Sequence, residues 1–356
     1  TAYLMGIFVL GFLLLIEFNQ FTEQQSLKEQ QQISTTVTTT DSSITETSSN
    51  DAPVLTDNGV ASELPSPAPA SHNDIPSVKT NTVANNQRLI HITTDSFDIQ
   101  IDKLGGDIVQ VALPKHKLRL SEDTPYILLN RTSDSIYIAQ SGIIGINATD
   151  TAAGRPLFTS ASNRYVLTEN QDALTVDLRY QHNGVNITKR FTFKNNDYLI
   201  NVSYIIDNST STDWQGNLYG QIKRDSHQPI ATADLGFGVN PYLGAATTTP
   251  ETNYKKIGFS DLEEQKEEFV VNGGWVAMVQ HYFVSAWIPN SESDNQYSLR
   301  KLKGKDLYLL GFSTPPVTVG AGQQGTLSAD FYVGPKDVDR LEGISEYLDL
   351  TIDFGW

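Results

Sequence analysis

Hydrophobic and polar residues alternate with period two along most of the chain from Arg88 onward, which is the pattern of strands with one buried face. Leu174, Val176, Leu178 and Tyr180 alternate with Thr175, Asp177 and Arg179. Asn183-Gly184 comes next, and Val185, Ile187, Phe191 and Phe193 then share one parity. Asn-Gly between alternating runs predicts a two-residue hairpin, because a type I′ turn needs positive φ at both central positions. Beyond the polar turn Lys194-Asn195-Asn196, a third strand carries Tyr198, Ile200, Val202, Tyr204 and Ile206 on one face. Similar runs occupy 89–93, 97–101, 107–113, 126–129, 136–140, 254–259, 274–280, 282–288, 306–312 and 326–333, separated by turns such as Gly105-Gly106 and Pro315-Pro316.

The period changes only near the end. After Gly334-Pro335, the residues Val338, Leu341, Ile344, Tyr347 and Leu348 recur three or four apart, which predicts an amphipathic helix over 335–350 with Leu341 and Ile344 on its packing face. Many short strands without intervening helices predict a mostly β domain over 88–334, a large antiparallel sandwich. A domain of that size buries about 75% of its extended-chain surface.

The first residues follow neither period. Leu4, Ile7, Phe8, Val9, Leu10, Phe12, Leu13, Leu14, Leu15 and Ile16 belong to an apolar run with no charged side chain before Glu17. The run is slightly short of the roughly 17–25 residues that cross a bilayer, but the chain opens on Thr1, so further residues are expected upstream. No small-residue cleavage site follows it, and Glu17 and Glu23 flank it. An uncleaved transmembrane anchor over 1–21, with the following chain exported, fits better than a cleaved signal. Residues 22–87 are rich in Ser, Thr, Gln and Pro and contain no aromatic residue; eight acids face two bases. Such a stretch buries too little apolar surface to offset its ordering entropy and is expected to be a disordered tether.

Composition narrows the function. The 356 residues carry 41 acidic and 25 basic side chains, a formal charge of −16, which argues against broad nucleic-acid binding. Zero cysteine excludes disulfides and thiolate chemistry. The six histidines, His72, His91, His116, His182, His227 and His281, form no HxH or HxxxH pair, and surface or structural roles are expected for them; His281 is the one expected to be partly buried. Glu263, Glu264, Glu267 and Glu268 cluster without aromatic neighbours to stack a sugar, so a solvated segment is expected rather than a glycosidase pair. No nucleophile elbow, P-loop or dinucleotide fingerprint occurs, and Gly236-Phe237-Gly238 lacks a third glycine. Sequons stand at Asn130, Asn147, Asn186, Asn201 and Asn208. The aromatics that bracket Trp275 to Trp287 are expected in the core. Neither a catalytic residue, a cofactor nor a metal is assigned.

One run is distinctive. Gly273-Gly274-Trp275-Val276-Ala277-Met278, followed by Gln280, Tyr282, Phe283, Ala286, Trp287, Ile288 and Pro289, closely resembles the periplasmic region of the YidC membrane-protein insertase family. Gly105-Gly106-Asp107-Ile108-Val109, Leu113-Pro114, 138–142, Gly154-Arg155-Pro156-Leu157 and the closing 348–356 agree in order. The resemblance implies an inner-membrane protein of Gram-negative bacteria, anchored by its first helix, with a periplasmic supersandwich similar to galactose mutarotases. It implies that 351–356 begins the link to a membrane domain that inserts nascent membrane proteins and lies beyond Trp356. It also implies the accessory subunits of the Sec translocon as partners, the lipid bilayer through 1–21, and a docking or scaffold role without catalysis. The motif residues Gly105, Gly106, Gly273, Gly274, Trp275, Tyr282, Phe283, Trp287 and Pro289 are expected to be structural. A carbohydrate-binding or mutarotase-like sandwich is the alternative.

Overall fold

The computed structural model describes residues 88–119, 122–151, 154–229 and 241–352. The anchor expected over 1–21, the tether over 22–87, His72, the string Gly236-Phe237-Gly238 and positions 353–356 lie outside the described residues.

In chain order the strands are β1 (Leu89–Thr93), β2 (Asp98–Asp102), β3 (Asp107–Lys117), β4 (Pro125–Arg131), β5 (Ile136–Ile144), β6 (Thr159–Ser160), β7 (Arg164–Val166), β8 (Ala173–His182), β9 (Val185–Lys194) and β10 (Leu199–Asn208). They continue with β11 (Trp214–Arg224), β12 (Gly244–Thr247), β13 (Lys255–Ile257), β14 (Glu267–Asn272), β15 (Val276–Val279), β16 (Phe283–Pro289), β17 (Asp294–Lys301), β18 (Tyr308–Ser313), β19 (Val317–Val319) and β20 (Gln323–Pro335). Two short helices, α1 (Phe259–Glu264) and α2 (Val338–Ile344), and a 3-10 turn (Leu348–Thr351) complete the named elements among the described residues.

The strands form two sheets. One runs β14-β17-β18-β11-β5-β4-β3-β2-β1-β7, with β19 also on β11; the other runs β13-β12-β15-β16-β20-β10-β9-β8-β6. The pairings are antiparallel except for β1 with β7. The predicted hairpin joins β8 to β9, with His182 opposite Val185 and positive φ at both Asn183 and Gly184. β20 returns from far along the chain to lie between β10 and β16.

Alternation explains how the sheets meet. Ile187, Phe191 and Phe193 of β9, Ile200, Val202, Tyr204 and Ile206 of β10, and Leu327 and Phe331 of β20 join one core with Ile99, Ile108, Ile143, Leu218, Ile222 and Phe312 of the other sheet. Trp287 packs on Phe331 at 4.7 Å within its sheet and reaches Phe312 across the interface at 6.2 Å. Each such aromatic contributes about 150–250 Å² of buried area.

Three expectations change. The run 254–259 is not one strand: β13 stops at Ile257 and α1 begins at Phe259, where Gly258 N–H donates to the Asp261 carboxylate. Glu263 and Glu264 lie on that helix, while Glu267 and Glu268 open β14. The C-terminal helix is shorter than 335–350. It spans Val338–Ile344 from an Asp337 cap, and the chain then passes through Tyr347 at φ 66 before the 3-10 turn. Leu341 and Leu348 are both buried, so the seam read as one helical face is shared between two short elements.

Candidate functional site

The two double-glycine turns of the motif residues mark two different sites. Gly105 and Gly106 have φ of 73° and 65°, a left-handed conformation that glycine adopts without steric cost. They also leave room for two cations: a Cβ on Gly105 would collide with the Arg155 guanidinium, and one on Gly106 would lie 2.8 Å from Lys189 Cδ.

Lys189 is the residue that the strand pattern passes over. It stands between Ile187 and Phe191 on their own parity, so its side chain enters the sandwich and is fully buried. Its Nζ donates to the carbonyls of Gly105 and Ser141, both at 3.0 Å, and lies 5.3 Å from the ring centroids of Phe191 and Tyr204. A charged residue on an inward parity was the sequence signal for it. Arg155 approaches the same place from the 154–158 segment. It binds Asp150 through Nε at 2.6 Å, Asp107 through Nη1, and the Ser141 carbonyl through Nη2 at 2.9 Å. Tyr219 Oη donates to Asp150 at 3.1 Å and Gln140 Nε2 to Asp107 at 2.8 Å.

Two cations thus face two carboxylates, and the group is neutral when Lys189 is protonated. Burial pulls the Lys189 ammonium down to about 7, against the pull of Asp107 in the other direction. Burial also opposes the charge of Arg155, but Asp107, Tyr219 and Asp150 outweigh it and hold the guanidinium well above its ordinary value. Both carboxylates are engaged by Arg155, and the lysine contacts only carbonyls. The cluster joins the two sheets from within and leaves one buried oxygen, Asp107 Oδ1, without a hydrogen bond.

Gly273 and Gly274, at φ 65° and 75°, make the second turn. The Gly273 carbonyl accepts from Asn295 Nδ2 at 3.1 Å and from Tyr297 Oη at 2.6 Å, which pins it to β17. Trp275 is buried, and its indole N–H donates to the Glu346 carbonyl at 3.0 Å, fixing the segment after α2 to the turn. Between them lies a groove of about 720 Å³. Its walls are Gly273, Gly274, Pro289, Asn290 and Ser291 on one side and 342–347 on the other, with Asn201, Ser328 and Asp330 on its floor. Asp330 accepts from Asn201 Nδ2 at 2.7 Å, and burial raises its carboxyl above the usual range. Three carboxylates, Asp330, Glu342 and Glu346, line the groove, and among the described residues no Lys, Arg or His does.

The other candidates are dispersed. Trp287 is in the core, and Phe283 stacks on Tyr126 at 4.2 Å. Tyr126 donates to Gln280 at 3.0 Å, and burial lifts its phenol to about 12. Tyr282, by contrast, is 61% exposed and lies outside the core. His91 and His227 are exposed, while His182 is half-buried and stacks on Tyr180. His116 Nε2 lies 3.0 Å from Tyr198 Oη, and burial, helped by Lys115, lowers its pKa. His281 is half-buried beside Tyr282. Glu263 accepts from Tyr308 at 2.9 Å and pairs with Lys301, and Glu267 pairs with Lys255 at 3.0 Å. No group of three or more His, Asp or Glu side chains suited to a metal occurs among the described residues.

Fold and site together define a large antiparallel β-sandwich with a balanced ion cluster inside and an acidic groove on its surface. Residues 89–356 match the family model described as the YidC periplasmic domain. The chain is 53% identical over 298 residues to the membrane protein insertase YidC of Cellvibrio japonicus (strain Ueda107), covering 81% of this chain and 54% of that one. It is 44% identical to the Alcanivorax borkumensis protein of the same name, covering 79% and 50%. It is 39% identical to that of Stutzerimonas stutzeri (strain A1501), covering 100% and 61%. The chain belongs to the YidC family of membrane protein insertases, and it spans about half the length of the curated relatives it matches. Among solved structures it is similar to a galactose mutarotase-like protein from Lactobacillus casei ATCC 334, with a TM-score of 0.45 and 11% identity over 69% of this chain and 99% of that one. It is also similar to a galactose mutarotase related enzyme from Lactobacillus acidophilus, with a TM-score of 0.47 and 8% identity over 69% and 97%.

Proposed function

We propose that this chain is the anchored, exported part of an inner-membrane insertase, and that its sandwich serves as a docking and scaffold module. The observation that carries the reading is the match of residues 89–356, nearly the whole sandwich, to the periplasmic domain of a family named for membrane-protein insertion. In this reading residues 1–21 hold the chain in the bilayer, 22–87 form a leash, and 351–356 start the link toward a membrane domain that handles nascent membrane proteins. The accessory subunits of the Sec translocon are the partners. The physical design agrees with such a role. The Arg155–Lys189 cluster ties the two sheets from within, which suits a rigid body, and the open recess lies on the surface, where a partner has access. The motif residues divide accordingly. Gly105, Gly106, Trp287 and Phe283 shape the interior, and Gly273, Gly274, Trp275 and Pro289 shape the recess.

The test is a pull-down of the membrane-anchored chain from bacterial membranes under mild detergent. Recovery of a translocon component is expected. Recovery of none, with the chain itself correctly folded and exported, overturns the docking role.

A further inference from the structure

Docking by a sandwich leaves open which surface does it and what chemistry it selects. We propose that the groove between the Gly273-Gly274 turn and the segment 342–347 is a docking site for a short, extended, lysine- or arginine-bearing segment of a partner protein. The inference rests on the docking role proposed above and names its surface.

Three observations converge on it. The first is charge: Asp330 on the floor and Glu342 and Glu346 on the wall carry the lining's only charges among the described residues. Lys194 acts on Asp330 from outside the lining, but the carboxylates line the groove with no cation among them and favour a cationic occupant, because complementary potentials steer encounter and set register. The second is shape. The groove of about 720 Å³ runs between two walls tied together by the Trp275 indole and the Glu346 carbonyl, so it is built rather than formed on demand. Its lining includes the Ser328 hydroxyl and the Asn201 amide, the latter held between Asp330 and Ser203. The third is strain at the rim. Tyr347 has a left-handed backbone at φ 66 and a 40% exposed ring. A bulky residue held in that region is strained, and such outliers cluster at active sites and ligand clamps.

A direct titration decides it. The full chain in detergent is titrated with a fluorescein-labelled octapeptide alternating lysine with glycine, and anisotropy is read at low salt and near physiological salt. Saturable binding is expected, weakened about tenfold in Asp330→Asn/Glu346→Gln, as for truncation of closely held charge partners. A control with the same loss of charge, Asp134→Asn/Glu169→Gln, removes acids from the β4–β5 turn and from the segment between β7 and β8, and should stay within about twofold, as for screened distant charges. Hydrogen exchange at 342–347 should slow on binding. Equal loss in the control overturns the proposal, since the peptide then sees only net charge. Equal binding of a glutamine-for-lysine peptide overturns charge selection, and absence of saturation overturns the site. Matching thermal unfolding of the variants shows that they fold. If membrane pull-down recovers a translocon component while groove variants change nothing, the groove fails and the docking role stands. If the pull-down recovers nothing while the peptide binds, the reverse holds.

Discussion

The two double-glycine turns use the same backbone device for opposite ends. At Gly105-Gly106 the left-handed turn makes space that the chain fills itself, with Arg155 and Lys189. At Gly273-Gly274 the turn walls a space that stays open, with Ser291 backbone 3.1 Å from where a Cβ on Gly273 would sit and Tyr297 Oη 3.0 Å from one on Gly274. A glycine pair in a sequence therefore reports a close approach of backbone to something, and only the fold shows whether that is the molecule's own interior or a surface recess. The first site is filled by the chain itself, and the second is the recess proposed for docking.

The comparison breaks most easily at the filled turn. Arg155→Ala leaves Asp107 and Asp150 buried without their guanidinium, and loss of about 3–5 kcal/mol is expected in denaturant unfolding, as for one partner removed from a buried pair. A change below about 1 kcal/mol, the range of exposed ion pairs, would show that the cluster is solvated and not a joint.

Lys189 gives a finer probe through pH. Its folded pKa, about 7, lies below the ordinary lysine value of 10.5, so between these values the unfolded chain binds more protons than the folded one. Stability at this residue therefore rises with pH across that window, and the burial penalty is largest below pH 7. Between pH 7 and 9 the protein should gain about 2 kcal/mol relative to Lys189→Met. Parallel pH profiles for the two proteins would show that the amine is not desolvated.

The smallest effect belongs to the open turn. Trp275→Phe removes the indole donor to Glu346 and shrinks a fully buried ring; about 1–2 kcal/mol is expected, one hydrogen bond plus a small cavity. Hydrogen exchange should speed up at 342–347 and remain unchanged around Lys189. Uniform acceleration over both regions would deny that the groove wall is held locally.

What could be read in advance follows from how many faces of an element meet water. β8, β9 and β10 alternate because one face of each is solvated, so their pairing and the Asn183-Gly184 hairpin were legible. β11 was not, because covering on both faces removes alternation: Trp214, Leu218, Tyr219, Gln221, Ile222 and Arg224 are all buried. β14, at the edge of its sheet, and β17 beside it were lost among charged and amide residues, which read as a solvated loop. The C-terminal periodicity was real as a buried seam, but the chain leaves the helix at an extended Ser345 and turns left-handed at Tyr347, and neither has a mark in hydrophobic spacing. Half of the candidate site was visible as the glycine, tryptophan and proline motif. Asp330, Glu342 and Glu346 were not, since the groove draws on stretches far apart in the chain that only the sheet order brings together.

The most direct measurement compares the anchored chain with its Asp330→Asn/Glu346→Gln variant in parallel membrane pull-downs, quantifying translocon components against equal amounts of folded bait. A docking module working through the groove predicts recovery with the unaltered chain and loss of most of it with the variant. Equal recovery by both, or none by either, would contradict it.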